Sequence, residues 1–78
     1  MRKRLKQVLA NTFQVPLEQV GEDAEIGAFP RWTSLGHLES MMAVEMEFGV
    51  RIPSGIMLDL ISLGAIEDFL SNQGVESE

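Results

Sequence analysis

The sequence predicts an all-α protein, a bundle of three main helices plus one short helix, with a long loop after the first helix. Apolar residues recur at helical spacing in three stretches, and Pro, Gly and helix-capping residues separate those stretches. The 78 residues predict one domain, residues 1–78, because so short a chain cannot bury two cores. The chain has no cysteine, so packing alone must stabilise the fold.

The first helix is predicted from apolar positions at i, i+3, i+4, i+7 and i+8, which share one helix face. These positions are Leu5, Val8, Leu9, Thr12 and Phe13. Pro16 should end the helix, because proline has no N–H to donate and disfavours helical geometry in the residue before it.

The connection from Pro16 to Thr33 should hold one helical turn near residues 17–20 and otherwise be a loop. It contains three large apolar residues, Ile26, Phe29 and Trp32, which water would not favour exposing. We therefore expect the loop to pack on the bundle, with Phe29 and Trp32 as its anchors. A connection this long in a small domain is typically functional.

The second helix should begin at Thr33 or Ser34, since either side chain can cap the first turn. Gly49 suits a left-handed residue at its end, and Pro53 forbids continuation. A short helix is predicted over residues 54–60. Ser62 should cap the last helix, which carries apolar residues on one face and ends near Asn72 and Gly74; these apolar residues are Leu63, Ile66, Phe69 and Leu70.

The second helix has an apolar arc that is too wide for one buried face. Its first stripe is Met41, Val44 and Phe48, and an adjoining stripe is Leu35, Leu38, Met42 and Met46. Glu39 and Glu45 flank the adjoining stripe. Methionine adapts to several partners and carboxylates select basic ones, so this pattern predicts a docking surface. A wider core and a homodimer seam are the alternatives.

The charge pattern also restricts the partners. Formal net charge is −6, and the first six residues carry four positive charges, so the rest of the chain carries −10. Such a field repels nucleic acid and attracts basic protein surfaces. Gln7 and Asn11 interrupt any signal-peptide core after the basic start, and no apolar run is long enough for a membrane span. A cytoplasmic location is expected.

The run from Thr33 to Pro53 resembles the phosphopantetheine attachment motif and recognition helix of acyl carrier proteins. Together with the preceding Trp32, the residues from Ser34 to Leu38 match a subgroup motif, Trp-Asp-Ser-Leu-Gly-His-Leu, with Thr33 in the place of the aspartate. Weaker similarities cover nearly the whole chain and include Phe13, Val15 and Pro16 at the exit of the first helix, and Ser62, Leu63 and Ile66 in the last helix.

This resemblance implies an acyl-carrier-like bundle whose Ser34 carries a covalent 4′-phosphopantetheine arm derived from coenzyme A. The arm would hold acyl groups as thioesters and deliver them to enzymes of fatty-acid, polyketide or specialised lipid synthesis. The implied partners are a phosphopantetheinyl transferase and acyl-loading and acyl-processing enzymes with basic docking surfaces. The chain itself would be a monomer that catalyses nothing and holds no metal.

Three other interpretations remain open. The arm could carry aminoacyl or peptidyl groups, or the chain could be an unmodified interaction module with the carrier fold, because Thr33 departs from the motif. An enzyme built on Ser34 and His37 is disfavoured, because the helical spacing offers no orienting acid, oxyanion hole or pocket. We expect His37 to pack against the long loop.

Overall fold

A computed structural model describes residues 1–75 of the protein. Within that range the chain has four α-helices and no β-strand, and a single antiparallel bridge joins Glu25 to Ser62. The all-α prediction is confirmed. The helices are α1 (Arg2–Phe13), α2 (Ser34–Phe48), α3 (Ser54–Met57) and α4 (Leu63–Asn72).

Helix α1 ends three residues before Pro16, because Gln14 adopts the left-handed conformation with φ 57°. The N–H groups of Gln14 and Val15 both donate to the Ala10 carbonyl, which closes the helix end. The predicted turn follows as a 3-10 helix over Leu17–Gln19.

Helix α2 begins at Ser34, and Thr33 is its cap. The Thr33 hydroxyl accepts the Gly36 N–H at 3.2 Å. The helix ends as predicted at Gly49, which has φ 65° and donates its N–H to the Glu45 carbonyl.

Helix α3 ends at Met57 and is therefore shorter than the predicted 54–60. A longer helix would offer the Met57 carbonyl to the N–H of Ile61. That carbonyl instead accepts hydrogen bonds from the Leu60 N–H and from the ring Nε2–H of His37. A tertiary hydrogen bond thus favours a turn at this point. The next helix, α4, has the predicted cap, since the Ser62 hydroxyl accepts the Ala65 N–H at 3.1 Å.

The core lies between the three main helices and continues under the long loop. Helix α1 contributes Leu5, Leu9 and Phe13; α2 contributes Met41 and Val44; α4 contributes Leu63, Ile66 and Leu70. Trp32 of the loop is fully buried, while Ile26 and Phe29 are half-buried and pack against the same core. The prediction that the loop packs on the bundle is therefore confirmed. The long loop is therefore held in place close to its C-terminal end, directly before Ser34.

Candidate functional site

Ser34 is the first residue of α2 and lies exposed on the surface. Its hydroxyl makes no hydrogen bond to any other residue of the described range 1–75. The capping bond belongs to Thr33, so the Ser34 side chain has no part in stabilising the helix start. The site thus presents a free hydroxyl at the N-terminus of a 15-residue helix.

His37, one turn after Ser34, is completely buried. Its Nδ1 accepts a hydrogen bond from the Trp32 indole N–H at 3.1 Å, and its Nε2 lies 2.8 Å from the Met57 carbonyl oxygen. A carbonyl only accepts, so Nε2 must carry the proton and the ring is the neutral Nε2–H tautomer. Both nitrogens are occupied by these two bonds, and neither is available to the Ser34 hydroxyl. His37 packs against the loop as predicted.

Gly36 has a structural role that the sequence interpretation missed. A Cβ at this position would lie 1.8 Å from the Arg31 carbonyl oxygen and 3.0 Å from its carbonyl carbon. Only glycine permits the loop backbone to approach α2 so closely. The signal in the sequence was a glycine in the first turns of a helix, where it normally lowers stability.

An aromatic stack holds the loop against the start of α2. The Trp32 ring lies 4.8 Å from the Phe13 ring with the planes 20° apart, and 6.2 Å from the Phe29 ring at 18°. The His37 ring stacks at 6.3 Å on Trp32. Trp32, Gly36 and His37 therefore connect α1, the loop, α2 and α3. The motif residues around Ser34 stabilise the fold and position the serine.

An open groove of about 550 Å³ lies beside Ser34. Ser34 and Thr33 form its polar edge, and the remaining walls come from the long loop. Those walls are Ile26, Gly27, Phe29, Pro30 and Trp32. The groove is therefore mostly apolar and begins at the free hydroxyl. We refer to it below as the first-loop groove.

The second stripe of α2 lies at the surface. Its four side chains, Leu35, Leu38, Met42 and Met46, have exposed fractions of 72%, 45%, 60% and 86%. Met41 and Val44 on the opposite side are completely buried. The alternative of a wider core is therefore excluded, and these four residues form an exposed apolar strip, called here the Leu/Met strip.

The two acidic residues that flank the Leu/Met strip differ from each other. Glu39 is exposed, in agreement with the prediction of a carboxylate rim. Glu45 is half-buried, and its carboxylate accepts the Ile52 N–H at 2.6 Å. Glu45 therefore has a structural role that the sequence did not show, and its role as a partner contact stays a prediction. Its carboxylate holds the chain that follows α2, because a charged acceptor makes a strong bond to a backbone donor.

The basic residues at the start of the chain pair with acidic residues elsewhere, so the −10 of the rest of the chain is partly neutralised. The Arg2 guanidinium donates to Glu67 of α4 and to Glu22 of the loop. Arg4 pairs with the Glu47 carboxylate at 3.0 Å. The hydrogen bond from Arg2, supported by its charge, lowers the pKa of the Glu67 carboxyl below its ordinary value of 4.5. These pairs neutralise part of the acidic surface away from the Leu/Met strip.

No protein-family model matches the chain, and no curated protein has a significant similarity to it. Among the helices of residues 1–75, none is long and apolar enough to cross a membrane. In the same range no group of three or more His, Asp or Glu side chains is arranged to hold a metal ion.

Proposed function

We propose that the protein is an acyl carrier protein in which Ser34 holds a 4′-phosphopantetheine arm. The observation that carries this proposal is the contrast between Ser34 and its neighbours. Trp32, Thr33, Gly36 and His37 all have structural roles, whereas Ser34 is exposed and makes no bond in the described range. The surrounding residues thus hold one free hydroxyl in a defined place.

The residues at this place fit the arm. The Ser34 hydroxyl is exposed, so a transferase can reach it, and the adjacent groove leaves space for a flexible substituent. The N–H groups and positive end of α2 favour a phosphodiester at its first residue. When attached, the arm supplies a terminal thiol that holds an acyl group as a thioester, a function that this cysteine-free chain cannot provide alone.

Ser34 acts as the acceptor in the attachment step. Its Oγ forms a bond to the phosphorus that bears the pantetheine of coenzyme A, and the diphosphate P–O bond breaks. The nucleotide part of coenzyme A leaves with the electron pair, and the Ser34 proton passes to a base of the transferase. His37 is not that base, because both of its ring nitrogens are already bonded.

The Leu/Met strip is the proposed docking surface for the transferase and for the acyl-loading and acyl-processing enzymes. Leu35 begins the strip directly after Ser34, so a partner seated on it is also beside the arm. Methionine side chains adapt to differently shaped partners, and Glu39 favours those with basic surfaces. The acyl groups are those of fatty-acid, polyketide or specialised lipid synthesis.

The test is arm attachment measured by intact mass, after incubation with coenzyme A and a promiscuous phosphopantetheinyl transferase. We expect the wild type to gain one arm and Ser34→Ala to gain none. Ser54→Ala is the matched control, since Ser54 is also exposed and is the first residue of a helix. Circular dichroism should show that all three proteins are equally folded.

Attachment to Ser34→Ala at the extent of the wild type would place the arm elsewhere and contradict the proposal. A second candidate, an unmodified interaction module, is favoured by one observation: Thr33 stands beside Ser34 where the motif has aspartate. Intact mass of the protein from its native host distinguishes the two candidates. A chain without an arm there, and without attachment in vitro, supports the module.

A further inference from the structure

We infer that the first-loop groove holds the pantoyl part of the arm, the segment with two methyl groups that directly follows the phosphate. This inference rests on the proposed function, because the ligand must be attached at Ser34. It adds a binding site to what would otherwise be a point of attachment. The site is made by the long loop and lies apart from the Leu/Met strip, which it leaves available to partner enzymes.

The position of the groove is the first argument. Ser34 and Thr33 are part of its lining, so a substituent on the Ser34 oxygen begins at its edge. The rest of the lining includes the apolar residues Ile26, Phe29 and Pro30. A substituent that leaves Ser34 into the groove therefore meets apolar side chains.

The chemistry of the arm follows the same order. Its charged phosphate is bonded to the serine, a CH₂ group comes next, and the carbon with two methyl groups follows. The amide groups come later and prefer water. The most compact apolar group of the arm thus falls closest to the apolar walls, where its burial is favourable. The groove is open, so the amides and the thiol can remain in solvent.

The groove is also preformed. The Gly27 N–H donates to the Trp32 carbonyl at 2.9 Å, and the Trp32 N–H donates to the Phe29 carbonyl at 3.0 Å. The Ile26 N–H donates to the Ile61 carbonyl at 2.8 Å, which fixes the loop to the segment before α4. Stacking on Trp32 holds the Phe29 ring. A site that is already ordered loses little conformational entropy on binding.

The interior below the groove is closed to the arm. Trp32 is fully buried, and its ring stacks at 4.8 Å on Phe13, which is also buried. Entry beneath the start of α2 would have to displace both rings and break the Trp32–His37 hydrogen bond. The pantoyl segment therefore lies on the loop surface and does not insert into the bundle.

The experiment uses the full chain in apo and arm-bearing forms, with attachment first verified by intact mass. Nuclear Overhauser contacts are then sought between the two arm methyl groups and the half-buried Phe29 ring. We expect these contacts in the wild type, together with a shift of the Trp32 indole N–H resonance relative to the apo form. In Ile26→Thr we expect weaker contacts, although the protein gains the same mass on arm attachment. The control is Leu58→Thr, at an exposed residue outside the groove lining, and it should keep full contacts.

The outcomes are distinguishable. Failure to gain the mass of the arm contradicts the proposed function. Gain of that mass without methyl contacts to the Phe29 ring, or with contacts that Ile26→Thr leaves unchanged, contradicts the groove inference alone. Shifts of the Phe29 and Trp32 resonances that depend on protein concentration and not on the arm would mean that a second copy occupies the groove, which also overturns the inference.

Discussion

Substitution of Gly36 by alanine tests the tightest contact at the site. The new Cβ would lie 1.8 Å from the Arg31 carbonyl oxygen, whereas ordinary contact begins at 3.4 Å. The loop and α2 must therefore separate by about 1.6 Å at this point. The loop cannot yield freely, because Trp32, the next residue after Arg31, is buried in the aromatic stack.

Two opposing terms set the size of the effect. Replacement of glycine by alanine in a helix normally increases the free energy of unfolding by about 0.5–1 kcal/mol. Overpacking against a constrained neighbour typically costs about 1–3 kcal/mol. The clash is with the backbone, which a side-chain rotation cannot relieve, so we take the upper end of the cost. The expected net loss is about 2 kcal/mol, or about 8–16 °C in Tm for a domain of this size.

The assay is thermal and urea unfolding, followed by far-ultraviolet circular dichroism and by the fluorescence of Trp32, the single tryptophan. Gly64→Ala is the matched control, since Gly64 lies in α4 and a Cβ there meets nothing within 4 Å. That variant should be unchanged or up to about 1 kcal/mol more stable. A Gly36→Ala protein as stable as Gly64→Ala would refute the close approach of the loop to α2.

Four other substitutions test recognition or stability at the surface. Thr33→Asp keeps a competent cap, so the free energy of unfolding should change by no more than about 1 kcal/mol. A housekeeping transferase should attach the arm to this variant faster, because a negative charge then stands beside Ser34, and a slower rate would contradict this expectation. Glu39→Lys should slow loading by partner enzymes at low salt without a change in stability, and equal rates at low salt would mean that the Leu/Met strip is not the docking face. Glu45→Ala should lower the free energy of unfolding by about 1.5–3 kcal/mol, because it removes the charged acceptor of the Ile52 N–H. An unchanged urea midpoint would argue against that bond. Arg2 lowers the pKa of the Glu67 carboxyl. This pair should therefore stabilise the fold above the ordinary carboxyl pKa, and its contribution should be lost as the pH falls through the pKa of the folded state. In urea titrations Arg2→Gln should lose less stability than the wild type between pH 7 and pH 3.

Much of the fold followed from local chemistry in the sequence. Apolar spacing predicted the three main helices, the Gly49 terminus and the Ser62 cap, all of which the structure contains. These features depend on interactions within one or two turns, so a single stretch of sequence specifies them. The sequence showed an apolar arc too wide for one buried face but left a wider core open as an alternative, and the structure shows that the Leu/Met strip is exposed.

Other features depend on individual hydrogen bonds that the sequence left undecided. The sequence left open whether Thr33 or Ser34 caps α2, and the bond from Gly36 to Thr33 decided that Ser34 is free. The length of α3 was predicted wrongly, because propensity cannot anticipate that His37 takes the Met57 carbonyl. Each outcome depends on a single hydrogen bond, a local one at the start of α2 and a tertiary one between α2 and α3.

The sequence by itself determined an all-α chain, its three main helices with the Gly49 terminus and the Ser62 cap, and a wide apolar arc on the second helix. Only the tertiary structure decided the roles within the motif: Gly36 admits the loop, His37 joins Trp32 to α3, and Ser34 keeps its hydroxyl free. It also distinguished two acidic residues, since the Glu45 carboxylate holds the chain after α2 and the Glu39 carboxylate does not. The physical reason is range. Helical periodicity and capping act over a few residues, whereas backbone contact, ring stacking and ion pairing depend on the approach of segments that are distant along the chain.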